Sequence, residues 1–310
     1  MRDIVTTRGA GLPQYGKTHL FPLTIHRIMD RVPGQVIDYG IQLMNAPRQW
    51  LRSKGENIRV AVLDTGIDRA HPDLKENIRG GYNFLDDNDN YADDHGHGTH
   101  VSGIIAGSDN GIGIVGVAPK TQLYALKVLD EKGEGGQEHV IAAINWAFDY
   151  GIHLLNLSFG SQKPNAKLRA IMEKANRAGL TFVAAAGNDA SKAFTKDSID
   201  YPGRWADLVL TVAAVDRSIK RASFSSQGPE LFLAAPGVNI LSTYPLNRYV
   251  RLSGTSMAAP HITGAVALMM AERRKRSGTL PNPADVRRFM MEHAVAIGDR
   301  KDYGYGFFRF

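Results

Sequence analysis

Short apolar runs alternating with longer amphipathic ones from residue 57 onward predict an α/β fold: a central, mainly parallel sheet flanked by helices. Three observations carry this expectation. Arg59-Val60-Ala61-Val62-Leu63 reads as a strand apolar on both faces, as a sheet covered on both sides requires. Comparable runs recur over 123–129, 153–157, 181–186 and 209–215. Between them, stretches of helical period fall near 99–107, 137–150 and 165–177.

Two later helices have their own start signals. One begins near Ser256 and runs through Ile262, Val266 and Met270, with Pro260 tolerated because it lies near the first turn. The other has Asn282 as its cap and Pro283 at its first position. The basic run over 273–276 falls where the first of these helices ends. Cations there complement the helix dipole, and no nucleic-acid partner is expected. In such sheets ligands bind at the carboxyl ends of the strands. Asp64, Ser158 and Asn188 each follow an apolar strand, so the fold gathers them along one edge.

Composition narrows the class. The 310 residues are 43% apolar and 22% charged, ordinary values for a globular protein able to bury a large core. No run approaches the roughly 18 apolar residues of a membrane span, so no membrane association is expected. The absence of cysteine excludes disulfides and thiol chemistry. Residues 1–30 hold Arg2, Asp3, Arg8 and Lys17 without a continuous apolar run, which reads as no standard secretory signal. Together these features set the expectation of a cytoplasmic protein. Of the net charge of +6, half lies in residues 1–34, which hold five basic and two acidic residues.

Three segments carry chemistry: Val62-Leu63-Asp64-Thr65-Gly66, His97-Gly98-Thr99-His100-Val101, and Gly254-Thr255-Ser256-Met257-Ala258-Ala259-Pro260-His261. A serine hydroxyl is a poor nucleophile unless a histidine takes its proton, and a carboxylate fixes that histidine's tautomer. The segments supply these parts in the order Asp, His, Ser, which differs from that of chymotrypsin and of the α/β-hydrolases. With Ala184-Ala185-Ala186-Gly187-Asn188, they resemble the signature blocks of the subtilisin family of serine proteases over 35–306. Any one block alone is weak; four in order are specific.

The resemblance implies a subtilisin-like three-layer fold and a peptidase acting on peptides and proteins with broad specificity. It makes Ser256 the nucleophile, His97 the general base and acid, Asp64 the orienting group, and Asn188 part of an oxyanion hole. His100 and His261 read as packing or hydrogen-bonding groups, and His97 and His100 lack the third ligand a zinc site needs. Two rival readings are an esterase and a catalytically dead relative. The first is expected to carry Gly-x-Ser-x-Gly, whose last position here is Ala258; the second conflicts with a complete catalytic set.

The resemblance also places substrate as an added strand. Its edges are Gly133, Glu134, Gly135 and Gly136 on one side and Ser158, Phe159 and Gly160 on the other, with Ala185 to Gly187 as the second wall of the side-chain pocket. Asp200, before Tyr201-Pro202-Gly203, either lies at the pocket base and adds tolerance for Lys or Arg, or points elsewhere. A structural calcium site is implied at Gln35, Asp73 and Asn110 with carbonyls of Ser108, Ile112 and Ile114, since hard oxygen ligands suit that ion. A second, at Asp86, Asn88 and Asp89, competes with a solvated acidic loop.

If Gln35 is a ligand, the peptidase domain spans 35–310 and residues 1–34 form a short extension. Leu20-Phe21-Pro22-Leu23 is loosely similar to a motif of intracellular subtilisins, implying an inhibitory segment cut near Pro33-Gly34-Gln35. The alternative is a disordered tail. The aromatic end, Tyr303 to Phe310, resembles the same branch and either makes a homodimer contact or packs onto the domain.

Overall fold

The computed structural model describes residues 16–190 and 198–310. The chain opens with β1 (Lys17–Leu20), β2 (Thr24–Met29) and β3 (Gln35–Ile37), then two short helices, α1 (Tyr39–Leu43) and α2 (Ala46–Gln49). The α/β alternation follows: β4 (Arg59–Asp64), β5 (Ile78–Asn83), α3 (His97–Ala106), β6 (Gly113–Val115), β7 (Gln122–Lys127), β8 (Glu134–Gly136), α4 (Gln137–Asp149), β9 (Leu154–Leu157), β10 (Phe159–Gly160), α5 (Ala166–Arg177), β11 (Thr181–Ala185) and β12 (Val209–Val215). It closes with β13 (Leu233–Pro236), β14 (Ile240–Tyr244), β15 (Arg248–Ser253), α6 (Thr255–Ser277), α7 (Pro283–Glu292), β16 (Ala294–Val295), α8 (Arg300–Tyr303) and β17 (Phe307–Phe308).

Nine strands form the central sheet in the order β16-β17-β13-β12-β11-β9-β4-β7-β5. Every neighbouring pair is parallel except β16 with β17. The alternation of a strand's side chains explains the layers. Along β4, Val60 and Val62 join the core that includes α3 and α6, while Ala61 and Leu63 join the core under α4 and α5. All four are at most 1% exposed, which is why the strand reads as a continuous apolar run.

The helices match the sequence-based spans closely, and Asn282 caps α7 by accepting from Asp285 N at 2.8 Å. Pro260 is a correction. It is the sixth residue of α6, so it lies beyond the first turn and removes an interior hydrogen bond. The carbonyl this frees, that of Ser256, accepts from Ser158 Oγ at 3.3 Å instead. The basic run forms the exposed last turn of α6, and no described helix is long and apolar enough to cross a membrane. Phe307 and Phe308 are buried in β17, and Tyr303, Tyr305 and Phe310 pack on the same core, so the aromatic tail packs onto the domain.

Residues 1–15 of the expected extension lie outside the described residues, but residues 16–34 build sheet structure. β1 adds between β10 and β8, and β2 adds to the edge of β15.

α6 approaches its neighbours so closely that Gly264 has no room for a methyl group. An added Cβ would meet Val117 Cβ at 2.5 Å. Gly264→Ala is expected to lower unfolding free energy by about 1–3 kcal/mol through overpacking, read as a lower denaturant midpoint. An unchanged midpoint would show that α6 shifts freely.

Candidate active site

Asp64 ends β4, His97 is the first residue of α3 and Ser256 the second of α6, and α3 packs against both β4 and α6. Their exposures are 0%, 1% and 0%. His97 Nδ1 lies 2.7 Å from Asp64 Oδ1, which also accepts from Thr65 N at 2.8 Å. Asp64 Oδ2 and His97 Nε2 are buried without a hydrogen-bond partner among the described residues. Ser256 Oγ donates to the carbonyl of Ser158 at 3.0 Å.

The approach of the histidine depends on a residue that the sequence motifs did not single out. The helix cap position, Gly96, has φ +102 and no side chain to bond the free N–H groups of α3. Asp93 replaces it. One carboxylate oxygen accepts from Thr65 Oγ1, His95 N and Gly96 N, and the other from Thr99 N and Oγ1. One side chain thus ties the turn after Asp64 to the helix bearing His97. Its sequence signal was a carboxylate four residues before a helix-starting histidine, where the dipole favours negative charge. Lys127, also missed, is 4% exposed on β7 and donates to Thr65 O, Asp94 Oδ1 and Leu129 O.

Asn188 is anchored through its oxygen, which accepts from Thr255 N and Thr255 Oγ1, both at 2.8 Å. This aims its amide into the cleft, where Nδ2 donates to the carbonyl of Pro22 at 2.6 Å. Both predicted substrate edges are occupied by β1. Lys17, Thr18 and His19 pair antiparallel with Gly136, Gly135 and Glu134, and His19 and Leu20 with Gly160 and Phe159. Leu20 N also donates to Gly133 O at 2.9 Å. Phe21, 4% exposed, fills the pocket: a Cβ on Gly160 would lie 2.5 Å from its ring, and one on Gly187 3.5 Å away. Ala185 is buried at the end of β11 beside that wall. Asp200 also borders Gly160, and its carboxylate reaches His19 Nε2 at 4.0 Å. The Tyr201–Pro202 bond is cis.

The implied calcium ligands are brought together as well. β3 pairs with β6, setting Gln35 opposite Gly113, and Gln35 Nε2 donates to Ser108 O at 3.3 Å. Asp73, fully buried, accepts from Ile114 N, Tyr249 Oη and Asn110 Nδ2, and Asn110 Oδ1 accepts from Ile112 N. Asp73 has no ion-pair partner among the described residues. A buried carboxylate amid amide and carbonyl oxygens suits a hard cation. Asp86, Asn88 and Asp89 lie on an exposed turn closed by the Asn83–Asn88 bridge, with Asp86 Oδ2 accepting from Asn83 Nδ2.

The profile of the subtilase family matches residues 55–306. The thermostable alkaline protease of Halalkalibacterium halodurans is 43% identical over 273 residues, covering 88% of this chain and 72% of that protein. Subtilisin DY of Bacillus licheniformis is 41% identical over 273 residues, covering 88% and 96%. Subtilisin E of Bacillus subtilis is 42% identical over 274 residues, covering 88% and 70%.

His100 and His261 flank the site as buried neutral groups. His100 Nε2 donates to the carbonyls of Ile240 and Val250, and His261 Nδ1 to that of Met257. Burial, with the nearby imidazole of His97, lowers His100 to about 3; burial lowers His261 to about 4. Below the ordinary value of 6.5, the unfolded chain therefore binds protons that the native state refuses, and stability falls with pH. In a Ser256→Ala background, which suppresses self-digestion, unfolding free energy should drop between about pH 7 and pH 5. His261→Gln should remove on the order of 2 kcal/mol of that drop. An identical drop in the variant would mean His261 is not held neutral.

Proposed function

This chain belongs to the subtilase family and is a serine endopeptidase, and on that premise we propose that Ser256, His97 and Asp64 are its catalytic residues. The observation that carries the reading is the buried 2.7 Å contact between His97 Nδ1 and Asp64 Oδ1, at the start of α3, which packs against the helix α6 that bears Ser256. With Nδ1–H donated to Asp64, the lone pair of His97 Nε2 serves as the base. Ser256 Oγ attacks the substrate carbonyl carbon as its proton passes to Nε2, which then protonates the leaving amine. Water repeats the sequence on the acyl-enzyme. The oxyanion takes hydrogen bonds from Asn188 Nδ2 and the backbone N–H of Ser256, at the positive end of α6.

The protein is made as a zymogen that its own residues 16–34 hold inactive. Three observations support this. Phe21 fills the side-chain pocket, yet the carbonyl on Asn188 is that of Pro22, one residue further on, so the bond after Phe21 is displaced from the reacting position. Ser256 Oγ donates to Ser158 and not to His97. Pro33 and Gly34 are exposed between β2 and β3, where a protease can reach them. Cleavage there would release β1 and β2 and leave Gln35 at the new terminus.

Calcium would be held by Gln35, Asp73 and Asn110 with the carbonyls of Ser108, Ile112 and Ile114. It would stabilise the packing of β3 and β6 and take no part in the chemistry. A weaker second site at Asp86, Asn88 and Asp89 is part of the same reading.

Hydrolysis of a chromogenic peptide amide tests the centre. Ser256→Ala should lose about 10⁶-fold in turnover, a reference value that comes from subtilisin itself, and undiminished activity would remove Ser256 as nucleophile. In the same assay a protein starting at Gln35 should outpace the freshly purified full-length chain. Equal specific activities would dismiss the inhibitory role. For calcium, a chelator should lower the melting temperature, with a loss of about 3 kcal/mol if the ion had been at a hundredfold excess over its Kd. A melting curve indifferent to chelator would count against the site.

A further inference from the structure

The catalytic histidine has a second imidazole for a neighbour. His95 and His97 are separated only by Gly96, whose left-handed φ of +102 turns the chain between them. The two rings lie edge to face, with centroids 6.3 Å apart. Each presents a buried nitrogen with no hydrogen-bond partner among the described residues, Nδ1 of His95 and Nε2 of His97. The other nitrogen of His97 is taken by Asp64 at 2.7 Å, which fixes the tautomer that leaves a lone pair on Nε2. His95 is anchored through its backbone: its N–H donates to Asp93 Oδ1 and its carbonyl accepts from Tyr244 Oη, both at 3.1 Å. Burial, with the charge His97 can carry, lowers the His95 pKa from its ordinary 6.5, so the ring is neutral near pH 7, the form that ligates metals. The carboxylates of Asp64, Asp93 and Asp94 act on the ring in the opposite sense and favour a cation there, with Lys127 offsetting Asp94 in part.

We propose that His95 and His97 together form an inhibitory site for the zinc ion, which silences the peptidase by taking the lone pair of its general base. This rests on the reading of His97 as that base and of residues 16–34 as removable, since both nitrogens are buried in the chain with its extension in place. Two imidazoles bound to one tetrahedral ion at roughly 2.0 Å hold their centroids about 5 Å apart, so the rings must close by about 1 Å. Rotation of the His95 side chain, whose ring no hydrogen bond holds among the described residues, supplies such a movement. His100 takes no part, because its Nε2 is committed to the carbonyls of Ile240 and Val250. No group of three metal-binding side chains occurs among the described residues, so solvent completes the coordination and the ion stays exchangeable. Calcium does not compete for such a site, because it prefers oxygen ligands to imidazole nitrogen.

The test uses the full-length protein, incubated until its activity is constant, with calcium in excess and zinc added in steps at about pH 7.5. Hydrolysis of the chromogenic peptide amide should fall reversibly, through apparent KM rather than kcat, because ion and substrate compete for His97. At about pH 6 the inhibition should weaken, since protons compete for both nitrogens. His95→Gln should raise the half-inhibiting zinc concentration at least about tenfold, measured against its own zinc-free rate, because one of two ligands is lost. His139→Gln, a change outside the pair, should leave that concentration unaltered. In the unmutated protein zinc should also slow alkylation of His97 by a peptide chloromethyl ketone, a readout that needs no variant. Equal half-inhibiting concentrations with and without His95, no inhibition at all, or alkylation indifferent to zinc would each overturn the proposal. Failure of the peptidase reading looks different, since no hydrolysis would then occur before zinc is added.

Discussion

A carboxylate with no exposed surface sits at the end of β4, an interior strand of the central sheet, and much of the surrounding structure serves to hold it beside an imidazole. Burying such a group is costly unless hydrogen bonds compensate it. Asp64 has His97 Nδ1 and Thr65 N at 2.7 and 2.8 Å on one oxygen. The parallel sheet brings the strand end to the edge where α3 and α6 begin. Asp93 and Lys127 then fasten the turn at Thr65 from two sides, through its hydroxyl, through its carbonyl and through Asp94. Moving any of these groups would change where His97 stands relative to Ser256.

The cleft beside this pair is made of two strand edges. β8 and β10 offer backbone groups that an extended segment completes, whatever its side chains. The chain uses this generality on itself: β1 completes the ladder, Phe21 lies against Gly160, and the carbonyl of Pro22 accepts from Asn188. The same physics continues along β15, where β2 is attached with most of its side chains exposed. β1 is thus held by the kind of backbone pairing that would also hold an extended substrate.

The legible parts were those with a local physical cause. β4, β9, β11 and β12 are covered on both faces and so are mainly apolar, with Asn156 in β9 and Thr211 in β12 among the buried polar exceptions. α7 was marked by Asn282 and Pro283, whose capping roles depend only on neighbouring residues. β5 was not legible, because Gly80 and Gly81 interrupt it and its register shifts there. β13 to β15 and β17 were missed because their pairing comes from distant segments. Pro260 was misjudged because the compensation for its missing N–H is a hydroxyl from Ser158, 98 residues away from the bond's acceptor.

The sequence by itself determined the layered α/β plan and the four segments that meet at the active site. Spacing of apolar residues, caps and short motifs are properties of neighbours along the chain. Only the tertiary structure decided how the segments meet: that Asp93 does the capping Gly96 cannot do, that Asn188 is turned by Thr255, and that Phe21 lies against Gly160 while the carbonyl of Pro22 meets Asn188. It also decided that the aromatic end is core rather than surface. The capping by Asp93 is local, but its bond to Thr65 spans 28 residues and the other outcomes depend on atoms brought together from distant parts of the chain, which no local pattern encodes.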